Sequence, residues 1–113
     1  MRRPTRTTVG VTILALSAWL HPPAAAAADA TAGKQKAGMC RTCHGIDGVA
    51  KVPDAPNIGG ESPIYLERQL KAFRSGERKH EQMSVIAESL DDADIADLVA
   101  WYSSIKVSVT VPQ

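Results

Sequence analysis

Two thiols and an imidazole fall within five residues, Cys40-Arg41-Thr42-Cys43-His44. On a helix, side chains three and four apart share a face. Both sulfurs can then reach the two vinyl groups of one porphyrin, and His44 faces its iron from the same side. This C-x-x-C-H order is the attachment pattern of a c-type haem, one group bound covalently. Cys40 and Cys43 alone would also suit half of a zinc site or a thiol–disulfide redox pair. The histidine directly after the second cysteine favours haem.

An iron held by His44 needs a second axial ligand or stays open on that face. Met39, Met83, His80, a lysine and water are the candidates. Met39 adjoins Cys40 and does not easily reach the far side. Met83 lies well downstream, at the end of a polar stretch with freedom to fold over the haem. Its thioether is a soft, neutral donor that favours ferrous iron. Most methionines are core fillers, but the iron's need for a ligand makes Met83 the leading candidate beside His44. His80 follows it; standing among Arg78, Lys79 and Glu81, it reads as a surface residue.

The elements that must position these groups are helical. A first helix is expected over about Ala32 to His44, with Gly33 and Gly38 serving close packing. The glycines, Pro53 and Pro56 between Gly45 and Gly60 predict a loop. Ser62 as cap, Pro63 at the first position and Gly76 as stop delimit a second helix. Leu66, Leu70 and Phe73 form its apolar face. Arg74 to Gln82 reads as polar loop and Ser84 to Ser89 as one short helical turn. Asp91 or Asp92 caps a last helix whose stripe is Ile95, Leu98, Val99, Tyr102 and Ile105. Val107 to Gln113 carries no assignment, and no strand pair or internal repeat is visible.

The chain opens with a segment separate from this domain. Arg2, Arg3 and Arg6 make a basic start, and Val9 to Leu20 is mostly apolar. Ala28-Asp29-Ala30 fits an A-x-A cleavage rule, with the cut after Ala30 and a cut after Ala28 as the alternative. A membrane-spanning helix needs roughly 20 apolar residues; this run is shorter and meets Pro22 and Pro23. Residues 1–30 therefore read as a cleavable secretory signal, which places the mature protein in the periplasm with no stable membrane span. Residues 31–113 form one domain with ten Lys or Arg and eleven Asp or Glu, a net charge of −1. No basic block suggests nucleic acid. So small a domain lacks apolar area and needs a staple, and its two cysteines are too close in sequence to close a useful disulfide loop. A large flat cofactor would supply the missing core.

The mature chain resembles the class I cytochromes c, in particular the short bacterial monohaem type and the single domains of bacterial dihaem cytochromes c. The resemblance rests on Gly33, Cys40-Arg41-Thr42-Cys43-His44-Gly45, Pro56-Asn57-Ile58-Gly59-Gly60, Tyr65 to Leu70, Phe73 to Arg78, Met83, and Leu90 through Tyr102. It implies an all-α fold, a small cytochrome c fold of three to five helices around one covalently attached haem. It also implies that Pro56 offers its carbonyl to the proximal His44, and that Gly33 lets the first and last helices cross against Trp101 or Tyr102. Tyr65, Gln69 and Arg78 become candidate propionate contacts. Trp101 stands where many relatives carry tyrosine.

With His44 and Met83 both bound, the iron has no vacant position, and the expected activity is electron transfer rather than substrate chemistry. The leading function is a periplasmic carrier cycling between ferric and ferrous iron, docking transiently with redox partner proteins. A haem-bearing subunit of a periplasmic dehydrogenase or oxidase complex is the alternative. A thiol–disulfide enzyme using Cys40 and Cys43 is a weak third, which requires a thiol of low pKa.

Overall fold

The structure, a computed structural model, describes residues 27–113. The segment read as a secretory signal lies outside the described residues except for its last four positions. Among the described residues, five α-helices and one 3₁₀ turn follow in order: α1 Ala30–Lys36, a 3₁₀ turn Ala37–Met39, α2 Arg41–His44, α3 Pro63–Ser75, α4 Glu81–Glu88 and α5 Asp92–Ser104. There is no strand among the described residues, so the fold is all-α.

The expected first helix is three pieces. It starts two residues early because the Asp29 side chain accepts from the Thr31 N–H at 2.7 Å and caps it. It then tightens at Ala37–Met39, where Cys40 N–H bonds to the Ala37 carbonyl at 3.0 Å. Glycine is among the weakest helix formers, and Gly38 sits at the centre of this break. A Cβ on Gly38 would meet nothing within 4 Å, so a packing role for that glycine is wrong. Gly33 is different. An added Cβ there would lie 1.9 Å from the Asp97 carbonyl oxygen and 2.9 Å from Trp101 Cβ. The missing side chain is what lets α1 cross α5 at backbone contact. Lys36 fastens the crossing, with its Nζ 2.8 Å from Asp94 and 2.7 Å from Asp97.

Helix α3 has the expected limits. Ser62 Oγ accepts from Tyr65 N–H, Pro63 opens the helix, and Gly76 closes it in the left-handed conformation. Leu66 and Phe73 are buried and Leu70 packs beside them. The polar stretch from Arg74 to Gln82 is not all loop. α3 runs through Ser75, and α4 begins at Glu81, earlier than the expected Ser84, because His80 serves as its N-cap. Arg74 ties the end of α3 to the α4–α5 junction, donating to the Leu90 carbonyl at 3.1 Å and to Asp92 at 2.6 Å.

Asp91 caps α5 in a reciprocal box with Asp94. This helix buries Ile95, Leu98, Val99 and Tyr102, and Ile105 stands at its end as C-cap. Together with Ala37, Leu66 and Leu90 they make the core. Among the described residues, Ile95 and Leu98 are the large side chains most fully enclosed. Several core residues also form the wall of a cleft.

Candidate functional site

The helical turn at Cys40–His44 positions three groups at once. His44 N–H bonds to the Cys40 carbonyl at 2.9 Å, which sets the residues four apart over one another. Both thiols are free and half-buried, and both line the cleft. His44 is 8 % exposed. Its Nδ1 lies 2.9 Å from the Pro56 carbonyl oxygen. A carbonyl only accepts, so Nδ1 carries the proton and the lone pair of the ring is on Nε2.

The loop that delivers Pro56 is built around Gly45. Its φ of +73° turns the chain back, and a Cβ there would meet Asp47 Oδ1 at 2.2 Å and the Val49 carbonyl at 2.5 Å. Lys51 N–H then bonds to the Cys43 carbonyl at 2.7 Å, and Ile58 N–H to the Gly48 carbonyl at 2.8 Å. Helix α5 pins the same turn from behind. Tyr102 donates its hydroxyl to the Gly45 carbonyl at 3.0 Å, and Trp101 Nε1 donates to the Ile46 carbonyl at 3.0 Å. Burial holds the Tyr102 phenol above its ordinary value, so it stays a neutral donor.

The cleft has a volume of about 360 Å³. The attachment turn and the Pro56 loop form part of its wall, α3 and α5 supply apolar side chains, and α4 contributes Met83 and Ile86. Cys40, Cys43, His44, Pro56 and Met83 all border it, as do Tyr65, Gln69 and Arg78. Arg78 is held in place by a bond of 2.6 Å to Gln69 Oε1 and by its guanidinium lying 4.5 Å from the centre of the Phe73 ring. Leu66, Leu90, Leu98, Val99 and Tyr102 belong both to the core and to this wall. Filling 360 Å³ of apolar space is worth up to about 9 kcal/mol, an upper figure because the cleft opens to solvent. That is comparable to the whole stability of a small domain. The residues present fit a haem: an apolar wall, two thiols, an imidazole with its outer nitrogen fixed as donor, and a thioether.

The other readings of the cysteines fare worse. Burial pushes the Cys40 thiol up to about 11, whereas a thiol–disulfide enzyme needs its nucleophile lowered. No three His, Cys, Asp or Glu side chains among the described residues converge as a metal-binding group.

His80 is exposed, as its charged neighbours imply, and it borders the cleft, but it is not a ready ligand. Its Nδ1 accepts the N–H groups of Gln82 and Met83 at 3.3 Å each. In that tautomer Nε2 carries the proton, so the ring has no lone pair left for a metal. Sequence reasoning missed this cap because histidine is not among the favoured N-cap residues. Ser84, whose Oγ accepts from His80 N–H at 3.0 Å, was the signal that could have revealed it.

A cleft of this shape, with paired thiols and an imidazole on one wall of a small helical protein, suits a covalently held porphyrin. A family model described as "Cytochrome c" matches residues 30–106. The chain is 48 % identical over 81 residues to cytochrome c-554(548) of Halomonas halodenitrificans, covering 69 % of this chain and 98 % of that protein. It is 38 % identical over 96 residues to cytochrome c4 of Pseudomonas aeruginosa, covering 85 % of this chain and 48 % of that one. Reduced cytochrome c4 from Pseudomonas stutzeri superposes with a TM-score of 0.67 at 36 % identity, covering 74 % of this chain and 48 % of the solved chain. The chain thus spans nearly all of the first relative and about half the length of the cytochromes c4. It belongs to the cytochrome c family, whose members carry a covalently bound haem c and transfer electrons.

Proposed function

We propose that this chain is an exported electron carrier with a single haem c, bound through Cys40 and Cys43, with His44 Nε2 and the Met83 sulfur as axial ligands. The observation that carries this reading is the shared cleft. His44 and Met83 both border it; Met39 and His80 border it too, but Met39 adjoins the attachment turn on the His44 side and His80 has its Nδ1 lone pair committed to the first turn of α4. The haem, when bound, supplies a one-electron ferric–ferrous couple. The protein's residues set its conditions. Pro56 holds the imidazole orientation and raises its basicity. The neutral thioether and the apolar wall of α3 and α5 favour the ferrous state. Two protein ligands would leave no position for substrate, and the half-buried Cys40 and Cys43 side of the cleft would be the place for electrons to enter and leave. Redox partners dock there briefly over a small area.

Export to the periplasm rests on the basic start and apolar run of residues 1–28, and no described helix is long and apolar enough to cross a membrane. Between the two candidate cuts, the one after Ala28 is favoured. It retains Asp29, which caps α1 and whose N–H donates to Asp97 at 2.8 Å; a cut after Ala30 would remove both contacts.

The test is the ferric spectrum. Met83→Ala should abolish the weak sulfur-to-iron charge-transfer band and let imidazole or cyanide bind readily. Survival of the band in that variant would mean that another group ligates the iron.

A further inference from the structure

We propose that His80 is a positioning residue for Met83, holding the sulfur donor over the cleft by capping the short helix that carries it. The proposal rests on the ligand assignment above. Helix α4 has only eight residues, and helices of that length are not stable by themselves. Its first turn leaves N–H groups without intrahelical partners. The His80 imidazole takes two of them, Gln82 and Met83, and the Met83 N–H belongs to the candidate ligand itself. The contact is reciprocal, because Ser84 Oγ accepts the His80 N–H.

An asparagine or serine could also cap this turn. The imidazole adds a second contact: its ring meets Phe73 of α3 edge to face, with centroids 6.4 Å apart. Phe73 is buried and lines the cleft, and Arg78 packs on the same ring. His80 thereby braces the first turn of α4 against α3, the wall on which the haem would lie. If α4 opens at its first turn to carry Met83 off the cleft, the bond to the Met83 N–H breaks and the His80 ring leaves Phe73. His80 thus holds the sixth ligand closed without touching the iron.

External ligands that compete with Met83 report this directly. Cyanide titration of the ferric holoprotein should show His80→Ala binding about fivefold more tightly than the unmutated protein, the factor that one ordinary lost helix cap represents. Amide exchange at Met83 should accelerate in parallel, while the resting charge-transfer band stays in place. His80→Asn, which keeps a cap acceptor, should restore most of the Met83 amide protection. Equal cyanide affinity and equal Met83 exchange in His80→Ala and the unmutated protein, with the band intact in both, would overturn the role of His80 alone. Absence of the band from the unmutated protein would instead overturn the ligand assignment, and this proposal with it.

Discussion

Gly33 and Gly38 lie five residues apart on one segment, and alanine at each should have opposite effects. At Gly33 the new Cβ would fall 1.9 Å from the Asp97 carbonyl oxygen and 2.6 Å from its carbon. The obstacle is backbone, which cannot rotate aside as a side chain does, so α1 and α5 must separate. Separation also strains the ion pairs of Lys36 with Asp94 and Asp97. Overpacking of this kind costs about 3 kcal/mol at the upper end of its usual range, offset by about 1 kcal/mol of helix propensity. The net loss of about 2 kcal/mol corresponds to a fall in Tm of about 8–16 °C for a domain of this size. At Gly38 nothing lies within 4 Å of the new methyl and φ is not positive. Alanine there should add about 0.4–1 kcal/mol by restricting the unfolded chain. Thermal melts of the two holoproteins, followed by far-UV circular dichroism, compare them directly. An unchanged or raised Tm in Gly33→Ala would refute the backbone-contact crossing of α1 and α5.

Three further outcomes are expected. Tyr102→Phe removes the donor to the buried Gly45 carbonyl and should lower stability by about 1–3 kcal/mol in denaturant melts; no change in the midpoint would show that the bond is not made. Hydrogen bonds from Lys36 hold the Asp94 and Asp97 carboxyls below their ordinary value of 3.8, and the same contacts raise Lys36 above 10.5. Depressed carboxyls contribute stability above their ordinary pKa and lose it as pH falls through the lowered value, whereas the contribution of Lys36 is complete below its own ordinary pKa. The Tm advantage over Lys36→Met should therefore be present at neutral pH and shrink as pH falls below about 4; an advantage that stays constant or grows on acidification would contradict the pairing. Cys40→Ser/Cys43→Ser, purified without haem, gives up the filling of a 360 Å³ cleft, worth up to about 9 kcal/mol. Its circular dichroism should show lost helix and a non-cooperative melt, and a cooperative native-like melt would count against the core argument.

Helices α3 and α5 were legible because their caps and stops are strong local signals: Ser62-Pro63 and Gly76 for one, Asp91 with Asp94 for the other, each beside a periodic apolar stripe. The break at Ala37–Met39 was not, since a single glycine is compatible with a continuous helix until Ala37 docks in the core. The start of α4 was hidden because an imidazole does the work usually given to Ser, Thr, Asp or Asn. Donor chemistry nominated Cys40, Cys43, His44 and Met83, and the family resemblance added Pro56, but their convergence on one cleft depends on contacts that no local pattern encodes. The bonds from Tyr102 to Gly45 and from Trp101 to Ile46 span 57 and 55 residues. They bring the end of the chain to the turn behind His44, and only the folded chain reveals them.

The claim beneath all of this is covalent attachment of one haem at Cys40 and Cys43. Its most direct test is the denatured intact mass of protein exported from a host competent for cytochrome maturation, taken with and without thiol alkylation. The mass should equal residues 29–113 plus a single haem, with no alkylatable thiol. A mass equal to the polypeptide alone, gaining two alkyl groups, would contradict it.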